Sequence, residues 1–238
     1  MKRLDVILAE KKLYASREKA KQAIEMGRVK VDGKIVKKAA LLCAEESVFE
    51  VLPFEFVSRG GFKLQKALEQ FGIDLTGRIV LDIGASTGGF SDVCLQNSAK
   101  KIYAVDTGVG QLSEKIKNNN KVVNLEQTNF LTLDKSNFKD AEFVVIDVSF
   151  VSLTKFAAKL ASDFEKVDIV ALIKPQFECG IEYAKKHKGI VKDSKMHNKI
   201  IANIEKVFGE VGFKKLGLIE SPIKGGDGNT EFLVWLKK

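Results

Sequence analysis

The sequence predicts an α/β chain: an open, mostly parallel sheet with helices on both faces and an antiparallel last strand, preceded by a small basic α+β unit. Three observations predict it. Short apolar runs at 79–84, 102–106, 122–125, 143–148 and 169–174 alternate with helical stretches, the pattern of strands covered on both faces. Two later runs, 216–220 and 231–236, are separated only by a glycine-rich loop, so the last strand is expected to return antiparallel. Charge is uneven: residues 1–38 hold 12 Lys and Arg against 5 Asp and Glu, which is +7 of the chain's net +8.

A chain of 238 residues, 45% of them hydrophobic, has room for one large domain and a small one, each with its own core. The apolar runs fall far short of the roughly 20 residues that span a bilayer. No apolar signal core follows Met1-Lys2-Arg3, so a cytoplasmic chain is expected. Cys43, Cys94 and Cys179 are odd in number and widely spaced, which fits neither a disulfide framework nor zinc knuckles; all three read as reduced packing residues. His187 and His197 lie among lysines without partners at ligand spacing, so they read as solvated and no metal is expected.

In the basic unit, Leu4, Ile7 and Leu8 repeat at helical spacing. Ser16 can cap a second helix carrying Ala20, Ile24 and Met26, which Gly27 ends. Val29-Lys30-Val31 then alternates, Asp32-Gly33 supplies a hairpin turn, and Ile35-Val36 begins the return. Lys2, Arg3, Arg17, Lys21 and Arg28 fall outside the apolar stripe and are expected to form one cationic face. Arg3-Leu4-Asp5, Ser16-Arg17, Gly27 and Val29-x-Val31-x-Gly33 resemble an S4 domain, which implies structured RNA as the partner, gripped through its phosphates. The expected boundaries are 1–52 for this domain, 53–57 for a short packed connector containing Pro53, and 58–238 for the remainder.

The first buried strand leads into Leu81-Asp82-Ile83-Gly84-Ala85-Ser86-Thr87-Gly88-Gly89-Phe90, a glycine-rich turn opening a helix at the carboxyl edge of the sheet, where ligands of this fold class bind. Asp106 ends the second strand, 22 residues beyond Gly84, where a carboxylate can accept both hydroxyls of a cofactor ribose. A dinucleotide loop would need glycine where Ser86 stands, and no Gly-Lys-Ser/Thr of a nucleotide-binding P-loop follows, so the loop favours S-adenosylmethionine over a dinucleotide. The candidate cofactor residues are Asp82, Gly84, Ala85, Ser86, Gly88, Gly89, Phe90, Asp106, Asn129 and Asp147.

Four charged residues sit where they can meet this crevice: Lys63 before the first strand, Asp147 ending the fourth, Lys174 ending the fifth and Glu231 opening the last. Ser58-Arg59-Gly60-Gly61-x-Lys63, Gly84 to Phe90, Asp147-x-Ser149-Phe150, Lys174-Pro175-Gln176-Phe177-Glu178 and Gly228-Asn229-x-Glu231 resemble the TlyA, or haemolysin A, family of ribosomal RNA 2′-O-methyltransferases along essentially the whole chain. The resemblance implies an FtsJ-like, Rossmann-like methyltransferase domain, S-adenosylmethionine as cofactor, ribosomal RNA or a ribosomal subunit as partner, cytidine ribose as target, and a catalytic tetrad on Lys63, Asp147, Lys174 and Glu231.

The chemistry agrees with those residue types. A ribose 2′-hydroxyl is a very weak acid and a sulfonium methyl is already activated, so the enzyme must align the oxygen with the methyl and remove its proton. Lys174 is expected to be the base, kept partly neutral by Lys63, the sulfonium and partial burial. Asp147 would orient it, and Lys63 with Glu231 would position the hydroxyl. The absence of prolines after Asp147 argues against base N-methylation. Arg59 and the lysine-rich segment 178–195 are expected to touch RNA phosphate, and Gly225, Gly226 and Gly228 to flex over the substrate. Two other functions compete. A non-catalytic ribosome-assembly factor would need neither tetrad nor cofactor loop, and a haemolysin would need membrane-active segments that the sequence lacks.

Overall fold

The computed structural model describes residues 1–52, 55–225 and 228–238, with Gln22 by its backbone alone. Pro53 of the expected connector and Gly226 of the glycine cluster lie outside the described residues. Contacts divide the chain into two units, Met1–Glu55 and Phe56–Lys238.

The first unit runs β1 (Lys2–Arg3), α1 (Leu4–Glu10), α2 (Arg17–Glu25), β2 (Val29–Val31), β3 (Lys34–Ile35), β4 (Leu42–Cys43) and β5 (Phe49–Val51). The helical spacing works as expected: Leu4, Ile7 and Leu8 of α1 meet Ala20, Ala23 and Ile24 of α2 and Val29 of β2 in one core. Ser16 Oγ accepts the Lys19 N–H at 3.2 Å, satisfying a free donor at the start of α2. This helix stops at Glu25, so Met26 lies beyond it rather than on it, and Gly27 follows in the left-handed region. Asp32 and Gly33 both have positive φ, which matches the twist of the β2–β3 hairpin. A second edge was not anticipated: β5 pairs antiparallel with β2, while β1 pairs with β4.

The second unit runs α3 (Gly60–Phe71), β6 (Ile79–Ile83), α4 (Gly89–Gln96), β7 (Lys101–Val105), α5 (Glu114–Lys117), β8 (Val122–Leu125), β9 (Phe143–Ile146), α6 (Ala157–Asp163), β10 (Asp168–Ile173), α7 (Pro175–Glu178), α8 (Ile181–Lys186), α9 (Ser194–Glu210), β11 (Lys214–Glu220) and β12 (Phe232–Lys237). Its seven-stranded sheet has the order β11-β12-β10-β9-β6-β7-β8. The strands from β10 to β8 pair in parallel, and β12 is antiparallel to both of its neighbours. Alternation along each strand builds two cores. Leu81, Ile83, Val144 and Ile146 face α6 and α9, while Val80, Phe143 and Val145 face α3 and α4.

From β6 the chain steps one way to β7 and β8 and later crosses to β9 on the other side. The switch point therefore lies between β6 and β9, and a crevice opens beyond their carboxyl ends. Each candidate residue expected at a strand end stands just outside its strand. Asp106 and Lys174 follow β7 and β10, Asp147 follows β9, and Glu231 precedes β12. The ladder stops where a charged side chain turns out of the sheet towards the crevice. Among the described residues no helix is long and apolar enough to cross a membrane.

Candidate active site

Lys63 is brought inward by helix geometry. On α3 the buried positions Gly61, Lys63, Leu64, Ala67 and Leu68 form one stripe, so the lysine shares the face that packs on the sheet. Its ammonium donates to Glu231 Oε2 at 2.6 Å; Lys63 is 8% exposed and Glu231 2%. Lys174 forms a second pair, 2.6 Å from Asp147 Oδ1, and donates an aligned hydrogen bond to Ser149 Oγ at 2.8 Å. The carboxylate expected to orient Lys174 is its nearest charged group, and Lys63, which lines the same cavity, has its own acid in Glu231. Two lysines approach one cavity because each carries a compensating charge.

Lys63, Asp147, Ser149 and Lys174 line a small cavity of about 170 Å³ with Gly84 to Thr87, Gly89 and Phe90. It adjoins a larger cleft of about 490 Å³ through Gly84, Ser86, Asp147 and Ser149. The larger cleft also contains Asp106 and Asn129, two of the residues expected to bind cofactor. Gly84 is the floor between them. Its φ is +85°, and a Cβ there would stand 2.6 Å from the Asp147 carbonyl oxygen, so only glycine lets β6 and the turn after β9 approach so closely. Asp106 fixes the loop from across the cleft: its Oδ2 accepts the Ser86 N–H at 2.8 Å and its Oδ1 the Gly108 N–H at 2.7 Å.

Two of the expected cofactor residues line neither cavity. Gly88 caps α4 with φ +90°. Asp82 lies wholly buried under the glycine turn, where its Oδ2 accepts the Ser91 hydroxyl at 2.6 Å. Burial pushes the Asp82 carboxyl up to about 7, against the Ser91 hydrogen bond, and the charges of Asp147 and Asp106 add to the rise.

Several lining residues carry no sequence signal. Gln111, Thr128, Phe130 and Phe156 reach the larger cleft from loops and turns with no motif to mark them. Ser149, two positions after Asp147, places its hydroxyl as the aligned partner of Lys174. Glu178 clips the site together, accepting the Ser152 hydroxyl and the Leu153 N–H, each at 2.6 Å. It thereby ties α7, which follows Lys174, to the loop that follows Asp147. Burial raises the Glu178 carboxyl above its usual range.

The expected cationic face is largely engaged. Arg3 and Arg17 both bind the buried Asp5 at 2.9 Å, which holds that carboxyl down at about 2 chiefly through Arg3. Lys2 bridges Glu10 and Glu45, and Arg28 reaches Glu55. Lys21 is half-buried on α2. In the second unit, Arg59 donates to the Lys224 carbonyl at 2.8 Å. The histidines are not both solvated: His197 Nε2 lies 3.0 Å from the Val191 carbonyl with its ring edge-on to Phe232, and His187 stacks on Tyr183. Cys43, Cys94 and Cys179 are free thiols.

S-adenosylmethionine fits these residues. The cleft has the volume of a small-molecule site, Gly84 and Ser86 of the glycine turn line it, and Asp106 is a carboxylate suited to vicinal hydroxyls. Together, fold and cleft define a Rossmann-like methyltransferase that uses S-adenosylmethionine, and a solved magnesium protoporphyrin IX methyltransferase from Synechocystis with bound SAH shares the fold at TM-score 0.51 and 16% identity, over 76% of this chain and 82% of that one. The chain belongs to the FtsJ-like methyltransferase family, whose model matches residues 56–238, and the S4 domain model matches residues 2–48. It is 43% identical to "Putative rRNA methyltransferase YqxC" of Bacillus subtilis over 98% of this chain and 85% of the relative. It is 36% identical to "16S/23S rRNA (cytidine-2'-O)-methyltransferase TlyA" of Mycobacterium tuberculosis over 99% and 89%. A solved "Putative hemolysin" from Streptococcus thermophilus superimposes with TM-score 0.77 at 40% identity, covering 99% of this chain and 88% of that one.

Proposed function

We propose that this chain methylates the 2′-hydroxyl of a cytidine ribose in ribosomal RNA. The observation that carries this reading is the pair of lysine–carboxylate contacts, Lys63–Glu231 and Lys174–Asp147, with Lys174 and Asp147 at the end of the cofactor cleft. Two acid–lysine pairs at the methyl-donor end of a cleft suit an oxygen nucleophile that must lose a proton. The name of the M. tuberculosis relative specifies the same reaction for that protein.

When bound, S-adenosylmethionine supplies an activated methyl group and leaves as a neutral thioether. Asp106, Asn129 and the turn from Gly84 to Phe90 hold it. Lys63, anchored by Glu231, donates to the ribose and fixes the direction of the 2′-oxygen. Lys174, as the amine, takes the hydroxyl proton while the oxygen bonds to the methyl carbon, and Asp147 with Ser149 keeps its nitrogen aimed at that oxygen. Residues 1–52 grip RNA through Lys2, Arg3, Arg17, Lys21 and Arg28, residues 53–57 connect, and residues 58–238 catalyse, with Arg59 contacting phosphate.

Tritium transfer from labelled S-adenosylmethionine to purified ribosomal subunits, followed by mapping of the labelled nucleotide, tests the reading. Label on a cytidine 2′-oxygen with wild type and none with Lys174→Ala is expected. Label on a base nitrogen, or full transfer by the variant, would overturn it.

A further inference from the structure

Lys2, Arg3, Arg17, Arg28 and Lys30 of the N-terminal unit are matched by acids, whereas one cluster of lysines in the methyltransferase unit is not. Lys185 and Lys186 end α8, and Lys188 and Lys192 follow it; all four are exposed, and among the described residues none forms an ion pair. This stretch is also rigidly seated. The Gly189 N–H closes back on the Ala184 carbonyl at 2.8 Å, ending α8. Asn229, 1% exposed, accepts the Val191 N–H on Oδ1 at 2.8 Å and donates from Nδ2 to the Gly189 carbonyl at 2.9 Å. His197 holds the other side of Val191. Asn229 stands two residues before Glu231, so one short strand entry fixes both the lysine-bearing segment and the acid that anchors Lys63.

We infer that residues 185–192 form a phosphate-binding arm that grips the RNA backbone beside the target ribose, and that Asn229 holds this arm in register with Glu231. The inference rests on the proposed RNA substrate. Unpaired ammonium groups gain from phosphate through counterion release without losing an internal partner, which the paired Arg3 and Arg17 would have to share. A buried amide bonded to two backbone groups two residues apart makes the arm's position a fixed distance rather than a sampled one. Asn229 is thus a positioning residue.

The test compares wild type with a Lys185/Lys186/Lys188/Lys192→Gln variant and a control, Lys100/Lys121/Lys139/Lys166→Gln, which loses the same charge at the opposite edge of the sheet, before the amino ends of β7, β8, β9 and β10. Direct binding to purified ribosomal subunits is titrated over a range of salt. The arm variant is expected to bind about tenfold more weakly at moderate salt, with the salt slope reduced by about one for each lysine in contact. The control should change little. Arm and control variants behaving alike, or wild type failing to bind either subunit, would overturn the arm. Binding is read separately from methyl transfer, so absence of label from wild type sinks the proposed reaction and not this surface. For Asn229→Ala, faster tryptic cleavage after Lys188 and Lys192 is expected, with kcat falling about tenfold while subunit affinity moves by less than about threefold. Unchanged cleavage, or equal loss of affinity and rate, would remove the registering role.

Discussion

Lys63 Nζ meets Glu231 Oε2 at 2.6 Å, although 168 residues of chain separate them. Both are buried, so neither charge has water in place of its partner. Truncating one side, as in Glu231→Ala, leaves a desolvated ammonium and is expected to lower stability by about 3–5 kcal/mol, read by chemical denaturation. Lys63→Met with Glu231→Leu should regain most of that loss and still transfer no methyl group. A stable and active double variant would show that the pair holds the fold and not the ribose.

Lys174→Arg separates two roles for Lys174. Arginine keeps a positive charge beside Asp147 but does not give up its proton near neutral pH. A base therefore fails as arginine while a purely electrostatic group survives. Both Lys174→Ala and Lys174→Arg are expected to lose about 10²–10⁴ in kcat, with unchanged affinity for S-adenosylmethionine measured by calorimetry. Substantial rate in the arginine variant would move the base elsewhere.

Gly84→Ala puts a methyl group 2.6 Å from the Asp147 carbonyl at a φ of +85°. The strain is on the order of 1–3 kcal/mol and falls on the seam between β6 and the loop bearing Asp147. Weaker S-adenosylmethionine binding, by about tenfold, is expected alongside a lower melting temperature. Wild-type affinity in this variant would place the cofactor away from the glycine turn.

Asp82 gives the protein a pH dependence of defined sign. Its carboxyl sits at about 7 in the folded chain, above the ordinary value of about 4 that it regains on unfolding. Between those values the folded state binds more protons. This group's contribution is therefore fully present below about pH 4 and is lost as pH rises through about 7. Urea unfolding of wild type and Asp82→Asn from pH 4 to 8 should give a difference that grows in favour of the variant as pH increases. A constant difference would mean that Asp82 is ionised throughout.

The legible part of this protein followed from burial. Strands covered on both faces are predominantly apolar, so 79–84 and 143–148 stood out even with Asp82 inside the first, and the side chains that break such runs at the carboxyl edge, Asp106, Asp147 and Lys174, announced the crevice within one residue. Glycine turns were legible too, because Gly84 and the Asp32-Gly33 pair need backbone angles that few residues adopt. Gln111, Thr128 and Phe156 were not, since a loop residue joins a cleft through the path of its loop and leaves no periodic trace.

The sequence by itself thus determined the layered sheet, the glycine turn and the four charged residues, because local backbone preference and the cost of burying polar groups act position by position. Only the tertiary structure decided the remaining partners. It seated Arg3 and Arg17 on Asp5, turned the Lys174 ammonium to the Ser149 hydroxyl, and set Asn229 under the lysine arm. Charge and hydrogen-bond partners are chosen by distances of a few ångströms between residues far apart in the chain, and those distances exist only once β12 has closed against β10.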